Sequence, residues 1–199
     1  MKLRIGILAS HGGSNMKAII DACAKDKING DVCVVICNNS NAGAVEKAET
    51  AGIPVYHLSG KNYPSNNDLD DAVLLVLKKH KVNLVALAGY MKKLGPIVLK
   101  EYKNRILNIH PALLPKHGGK GMYGMNVHEA VIKSGDMESG ATVHLVNENY
   151  DEGGILSQVV IPVAENESPE TLSEKVLVQE HRLYPITLEK ISKGEIELP

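Results

Sequence analysis

The sequence contains no tryptophan and no phenylalanine, and only three of its 199 residues are cysteine. Leucine, isoleucine, valine and alanine must therefore build the core, with tyrosine as the only aromatic residue. Cys23, Cys33 and Cys37 cannot all pair, and no two of them form a Cys-x-x-Cys motif. This argues against a disulfide framework or a zinc ribbon and favours a reducing, cytoplasmic compartment.

An excess of charge of either sign is also missing. The chain has 22 Lys and Arg residues against 23 Asp and Glu residues, for a net charge of −1. A nucleic-acid binder or a polybasic membrane patch would need a concentration of positive charge. No stretch reaches the roughly 18 apolar residues of a membrane span, and the first apolar run is too short for a signal peptide. We expect a soluble protein that binds neither nucleic acid nor membrane.

The remaining composition is typical of a globular protein, with 44% hydrophobic and 23% charged residues. In the first half, short apolar runs alternate with amphipathic stretches, which is typical of βα units on a parallel sheet. We expect a single α/β domain over residues 1–199, with a central, mostly parallel twisted sheet, helices on both faces and a Rossmann-like N-terminal half. The predicted strands are residues 3–9, 31–37, 53–58, 82–88, 105–109, 140–146 and 155–162. The predicted helices are residues 14–25, 42–51, 69–80 and 127–133, and a last one beginning at Ser168-Pro169.

A glycine-containing loop, residues 10–15, joins the first strand to the first helix. Glycine allows a ligand to approach the backbone, and a helix N-terminus offers free N–H groups to an anion. The loop therefore predicts a phosphate site, with Gly13, Ser14 and Asn15 as donors, and either Ser14 or Asn15 is expected to cap the helix. Neither the dinucleotide-binding pattern nor the P-loop pattern is met, so a tight turn without a ligand is the alternative.

Polar residues at two places in the second half are candidates for a functional site. Asn108 and His110 alternate along one strand and point to the same side of it. An amide beside an imidazole can stabilise an oxyanion and move a proton, although a hydrogen-bonded core histidine would give the same pattern. The acidic loop at residues 147–154 carries three carboxylates, for which a solvated hairpin is the alternative.

Glu180 interrupts an inward-facing stripe of the last helix. Leu172, Val176 and Tyr184 share its i, i+4 spacing, so the carboxylate should be buried. A buried charge is costly without a partner. Glu180 therefore either contacts a substrate or forms a structural ion pair with a nearby Lys or Arg.

Five motifs occur in a recognisable order: Gly-Ser-Asn at 13–15, Leu-Ala-Gly-Tyr-Met at 87–91, Leu-Asn-Ile-His-Pro-Ala-Leu-Leu-Pro at 107–115, Asp-Glu-Gly-Gly-Ile at 151–155 and Gln-Glu-His at 179–181. With these motifs the chain resembles the folate-dependent formyltransferases over about residues 3–192. Asn-x-His-Pro followed by Asp-x-Gly is shared by the enzymes that take formyl from 10-formyltetrahydrofolate. The first and last motifs indicate the members that act on phosphoribosylglycinamide in purine biosynthesis.

This resemblance implies direct transfer of the formyl group to an amine through a tetrahedral intermediate, with no metal. Asn108 and His110 would stabilise that intermediate, and Asp151 would keep His110 cationic. The substrates would be two small molecules, phosphoribosylglycinamide and 10-formyltetrahydrofolate. The implied substrate-binding residues are Gly13, Ser14, Asn15 and Glu180. The implied folate-binding residues are Met91, Lys92, Lys93, Leu94, Asn108, Asn147 and Tyr150.

The sequence departs from the family at Asn66 and Asn67, where relatives carry an arginine for the glutamate tail of the folate. The glycine-rich loop at 117–124 has no role that the sequence assigns. A monomer and a homodimer are both open. The alternatives to a glycinamide formyltransferase are a formyltetrahydrofolate deformylase, a formyltransferase for methionyl-tRNA and a noncatalytic nucleotide-binding module.

Overall fold

The computed structural model describes residues 2–199, whose seven strands form one mixed sheet. The strand order is β3-β2-β1-β4-β5-β6-β7. Strands β1 to β5 run parallel to one another, whereas β6 is antiparallel to both β5 and β7. The strands are β1 (Leu3–Ala9), β2 (Gly30–Cys37), β3 (Val55–His57), β4 (Leu84–Leu87), β5 (Ile106–His110), β6 (Glu138–Leu145) and β7 (Ile155–Pro162).

Six α-helices pack against this sheet, and their N-termini are closed in different ways. Ser65 accepts a hydrogen bond from the backbone N–H of Asp68 at the start of α3. Ser168 and Thr171 form a reciprocal capping box at the start of α6. The N-terminus of α1 has no side-chain cap. The helices are α1 (Ser14–Ala24), α2 (Gly43–Thr50), α3 (Asn66–Lys79), α4 (Pro96–Glu101), α5 (Met125–Ser134) and α6 (Pro169–Lys193).

Apolar side chains cover both faces of the sheet. Along β1, Ile5 and Ile7 belong to one buried cluster, and Leu8 belongs to the other. The first cluster includes side chains of α1, α2, α5 and α6, and the second includes side chains of α3 and α4. The predicted α/β architecture, with a mostly parallel sheet and helices on both faces, is confirmed. No helix in the described residues combines the length and the apolar character needed to cross a membrane.

Helix α4 is absent from the sequence prediction because a distant residue caps it. The Asp70 carboxylate of α3 accepts hydrogen bonds from the backbone N–H groups of Gly95 at 3.1 Å and Ile97 at 2.7 Å. A carboxylate at this position stabilises the positive end of the helix dipole. Because Asp70 lies 25 residues before Gly95, the local sequence around α4 carries no sign of this cap.

The strand order reverses between β1 and β4, which lie side by side although β2 and β3 come between them in the chain. In open α/β sheets, ligands bind outside the carboxyl ends of the strands at such a switch point. Helix α6 lies across this region, and its buried Tyr184 donates its hydroxyl hydrogen to the carbonyl of Leu107 in β5 at 3.0 Å. Because of this topology, three parts of the chain lie close together: the N-terminus of α1, the end of β5 and the first half of α6.

Candidate active site

A cleft of about 670 Å³ lies at the carboxyl ends of β1, β4 and β5. Its wall includes most of the residues that the sequence nominated. Gly13, Ser14 and His110 are not part of the wall; His110 is only 3% exposed, and its neighbour Asp151 lines the cleft instead. The nominated residues in the wall are Asn15, Met91, Lys92, Lys93, Leu94, Asn108, Asn147, Tyr150, Asp151 and Glu180.

We call one side of the cleft the β5 end, formed by Asn108, His110, His144 and Asp151. The His144 ring is buried, and its Nδ1 lies 2.8 Å from the carbonyl oxygen of Leu145. Since a carbonyl can only accept, Nδ1 carries the hydrogen, and Nε2 of the neutral ring must be an acceptor. The Asn108 amide nitrogen lies 3.1 Å from this Nε2 and donates to it. Burial lowers the pKa of His144, which favours this neutral ring. The amide of Asn108 therefore has a fixed orientation and keeps one N–H for a ligand.

His110 is held through its other ring nitrogen. Its Nε2 lies 2.8 Å from the carbonyl oxygen of His117 and so must be a donor, which leaves Nδ1 as the nitrogen that titrates. Nδ1 lies 3.7 Å from Oδ2 of Asp151. Asp151 raises the pKa of His110, as expected, but burial lowers it by more, so the pKa of His110 lies below its usual value. The expectation that Asp151 keeps His110 cationic stays a prediction: the carboxylate acts in the expected direction on the pKa of His110, and burial opposes it.

Asp151 lies between two imidazoles at the turn before β7. Its Oδ2 accepts the backbone N–H of Gly119 at 3.0 Å, and its Oδ1 lies 3.6 Å from Nε2 of His144. The backbone of Asp151 is left-handed, with φ of 58°. Within residues 2–199, no three His, Cys, Asp or Glu side chains are grouped so that they could hold a metal ion. The acidic loop is thus more than a solvated hairpin, because its Asp151 is directed into a buried polar cluster.

We call the other side of the cleft the α1 end, formed in the wall by Asn15 and Glu180, with Gly13 and Ser14 directly before Asn15 at the helix N-terminus. Gly13 is the N-cap residue of α1, in a left-handed conformation with φ of 69°, and an added Cβ would lie 2.8 Å from the backbone of Ala44. Glycine is therefore required at this position. The expectation that Ser14 or Asn15 caps the helix is wrong, because Ser14 is already its first residue and Asn15 donates instead to Glu180. The first N–H groups of α1 consequently have no side-chain partner and can bind an anion.

Glu180 is buried, as the stripe on α6 predicts, with 7% of its surface exposed. Its Oε2 accepts a hydrogen bond from Nδ2 of Asn15 at 2.7 Å, and no Lys or Arg in the described residues pairs with it. The alternative of a structural ion pair is therefore wrong. Burial without a cation raises the pKa of Glu180 to about 7. Oδ1 of Asn15 is buried without a hydrogen-bond partner, so this end of the cleft has unused polar capacity.

The outer part of the cleft carries apolar and cationic side chains on facing loops. Met91 and Tyr150 are 40% and 47% exposed, and Nζ of Lys93 lies 5.3 Å from the centre of the Tyr150 ring. The backbone N–H of Met91 donates to the Ser10 hydroxyl at 2.8 Å, which fixes the start of its loop. Asn66 and Asn67 begin α3 and are not in the cleft wall. Exposed apolar side chains around polar groups are typical of a site for a flat organic ligand.

Sequence reasoning missed several residues of the wall. His144 and His128 have no motif spacing, and only the antiparallel pairing of β5 with β6 sets His144 opposite Asn108. Met122 and Tyr123 belong to the glycine-rich loop without an assigned role, whose residues 119–124 line the cleft. The sequence did carry a signal for them, because two large apolar side chains among four glycines suggest a ligand surface rather than a core.

Comparison with known proteins agrees with this geometry. Residues 3–188 match the Formyl transferase family, and the chain belongs to that family. A chloroplastic phosphoribosylglycinamide formyltransferase of Arabidopsis thaliana is 43% identical over 182 residues, which are 91% of this chain and 62% of that protein. The chain thus spans about three-fifths of the length of this plant relative. The enzyme of the same name from Haemophilus influenzae is 37% identical over 98% of this chain and 90% of its own length.

Solved structures give the same fold. The crystal structure of glycinamide ribonucleotide transformylase 1 from Symbiobacterium toebii superposes with a TM-score of 0.93 at 37% identity, over 100% of this chain and 91% of that one. A formyltetrahydrofolate deformylase from Pseudomonas syringae superposes with a TM-score of 0.88 over 100% of this chain and 64% of that one, at 24% identity. The likeness to the deformylase shows a shared fold alone.

Proposed function

We propose that this protein transfers the formyl group of 10-formyltetrahydrofolate to the amine of phosphoribosylglycinamide, a step of purine biosynthesis. One observation carries this proposal: a single cleft has the oriented amide of Asn108 on one side, and on the other side the buried carboxyl of Glu180 beside the open N-terminus of α1. Named relatives with this activity, 37% to 43% identical, support the same assignment.

The α1 end suits the phosphate and the sugar of the acceptor. The uncapped N–H groups at residues 13–15 and the positive end of the α1 dipole bind a phosphate. Glu180, with Asn15 beside it, accepts hydrogen bonds from ribose hydroxyls or from the glycinamide part. Its unusual pKa lets it do so as a carboxylate or donate as an acid near neutral pH.

The outer part of the cleft suits the folate. Met91, Leu94 and Tyr150 supply apolar contact for a flat ring system, and Asn147 supplies a polar group at the same loop. Lys92 and Lys93 are exposed cations for the carboxylates of the glutamate tail. They support tail binding in the absence of the arginine that Asn66 and Asn67 replace.

The β5 end suits the transfer step itself. The amine nitrogen attacks the formyl carbon, and the formyl oxygen becomes an oxyanion that the remaining N–H of Asn108 stabilises. The new C–N bond forms, the bond from the formyl carbon to the folate nitrogen breaks, and one proton passes from the amine to that nitrogen. Neutral His110 can accept this proton at Nδ1, because Nε2 is engaged with His117. Asp151 then stabilises the imidazolium that forms.

The test is the absorbance change when purified protein is mixed with a 10-formyl-folate analogue, with and without phosphoribosylglycinamide. We expect turnover only with the amine. Formyl release in its absence would instead assign the protein as a deformylase. Absence of turnover in both mixtures would contradict catalysis of either kind and favour a binding module. The three cysteines are unpaired, which supports a reducing compartment, the cytosol, for this reaction.

A further inference from the structure

His110 owes its orientation to a residue outside the cleft. The carbonyl that accepts its Nε2–H belongs to His117, whose own side chain points away into a second, smaller cavity lined also by Lys116, Asp136 and Ser139. Neither His117 nor Asp136 is part of the cleft wall. Besides the charge of the His117 ring, which acts on His110 through space, any influence of these two residues on the reaction passes through the backbone of the loop.

The backbone of His117 is in a conformation that side chains rarely adopt. Its φ is 53°, in the left-handed region that disfavours residues other than glycine and asparagine. Such a conformation persists only where neighbouring contacts hold it. Here the contact is with Asp136, whose Oδ2 lies 2.7 Å from Nε2 of His117 and whose Oδ1 lies 2.8 Å from Nζ of Lys116.

Asp136 is a fixed point for this loop. It follows Gly135, the left-handed residue that ends α5, and it precedes β6, so its backbone is tied to two regular elements. Lys116 and His117 hold the pKa of Asp136 well below its usual range, so it is ionised throughout the physiological range. Two residues beyond His117, the N–H of Gly119 donates to Asp151. One short loop thus holds both His110 and Asp151.

We propose that Asp136 and His117 form an anchor, outside the cleft, that positions His110 and fixes which of its ring nitrogens carries the hydrogen. The anchor holds the left-handed turn at His117, which directs the carbonyl at Nε2 of His110. The hydrogen stays on Nε2, and Nδ1 faces Asp151 as the nitrogen that exchanges protons. Both anchor residues are positioning residues, because neither contacts the cleft.

The test compares three variants with the wild type by nitrogen NMR of the histidine rings, which distinguishes the two neutral tautomers. In the wild type we expect His110 in the Nε2–H form alone. In Asp136→Asn we expect both tautomers, because the turn at His117 loses its charged partner. In Lys116→Gln, the matched control, Asp136 loses only an exposed partner and the tautomer should not change. His117→Ala loses the contact with Asp136 and has no preference of its own for the left-handed backbone, so it should resemble Asp136→Asn.

The NMR measurement needs no substrate, so its outcome is independent of the proposed function. The groups that face His110 are Asp151, His117, His128 from α5 and His144 from β6, and Asp136→Asn removes none of them. In the formyl transfer assay, we expect kcat to fall about tenfold in Asp136→Asn with KM unchanged, since a displaced catalytic group slows the chemical step.

The double variant that combines Asp136→Asn with the His117 substitution should have a kcat no lower than that of either single variant, because both changes break the same contact. A folded Asp136→Asn protein with a single His110 tautomer and wild-type kcat would overturn the proposal, even if its melting temperature fell. Should Asp136→Asn not fold, the same result for His117→Ala would overturn it equally.

Discussion

The two ends of the cleft use different kinds of polar group. At the α1 end, the binding groups are backbone N–H groups left open by the absence of a cap, beside one buried carboxyl. At the β5 end, the groups are side chains whose orientations depend on buried imidazoles and on carbonyls of neighbouring segments. The α1 end can bind a charge that the ligand already has. The β5 end is arranged for a charge that appears only during the reaction.

Removing the oriented amide should separate the two ends most clearly. In Asn108→Ala the oxyanion loses its donor, and kcat should fall about 100- to 1,000-fold. Binding of the acceptor should change little, because the α1 end is intact. Steady-state kinetics with both substrates varied measures this, and Asn166→Ala, an exposed asparagine in the loop before α6, is the control. A fall in acceptor affinity with unchanged kcat would contradict the division of roles.

Glu180→Gln tests the carboxyl of the α1 end through stability. The pKa of Glu180 is raised from 4.5 to about 7, so between these values the folded protein holds a proton that the unfolded chain releases. The free energy of unfolding therefore falls as pH rises through this window, by about 3 kcal/mol in total. Glutamine never ionises, so the variant should lack this slope and be more stable than the wild type at pH 8. Urea denaturation at pH 5 and pH 8 measures the difference.

Glu174→Gln provides the matched control, because Glu174 is exposed on the same helix. Its pH dependence should equal that of the wild type. A Glu180→Gln protein that kept the wild-type slope would show that Glu180 is ionised in the folded state. If the more stable Glu180→Gln protein binds the acceptor more weakly, the buried carboxyl lowers stability but is needed for binding.

Asp151→Asn tests the interaction between Asp151 and His110 at the β5 end. Burial lowers the pKa of His110, and Asp151 partly offsets this, so the variant should have a still lower pKa at His110. The imidazolium formed during transfer loses its counter-charge, and kcat should fall at all pH values. NMR titration of His110 measures the pKa, with Glu148→Gln, an exposed carboxylate of the same loop, as control. An unchanged or higher pKa in Asp151→Asn would refute the interaction.

The smallest effect is expected from a comparison of two helix N-termini. Ser168→Ala removes the capping box of α6 and should lower the free energy of unfolding by about 1 kcal/mol. Ser14→Ala removes no cap and should change that free energy by less than about 0.5 kcal/mol. Chemical denaturation of both variants measures this. An equal loss in the two would mean that Ser14 closes α1, and the α1 end would then be less open to an anion.

Local patterns in the sequence were sufficient for most of the architecture. Apolar runs and capping residues predicted the strands and five of the six helices, and i, i+4 spacing predicted that Glu180 is buried. Helix α4 was missed because its cap, Asp70, comes from another helix. A local sequence pattern reports contacts between residues that are close along the chain. The contact of Asp70 with the start of α4 joins residues that are far apart along the chain.

In the candidate site, too, local motifs identified residues, whereas contacts between distant residues determine their properties. Asn108, His110 and Asp151 were found through motifs, and the structure brings them together, although their catalytic roles stay predictions. The orientation of Asn108 depends on the tautomer of His144, 36 residues away, and the charge of His110 depends on how deeply it is buried. The motif suggested a carboxylate beside His110 and therefore a cationic ring. Burial of the ring, however, decides the direction in which the pKa of His110 shifts.

The hydrogen bond from Asn15 to Glu180 joins residues 165 positions apart. The first helix and the last helix must therefore both be in place before the α1 end exists. During synthesis, the N-terminal βα units can collapse early, but the carboxyl of α6 follows the last strand, β7, along the chain. Binding competence is then acquired after the strands of the sheet have been made, and recovery of anion binding during refolding reports the docking of α6 rather than the formation of the sheet.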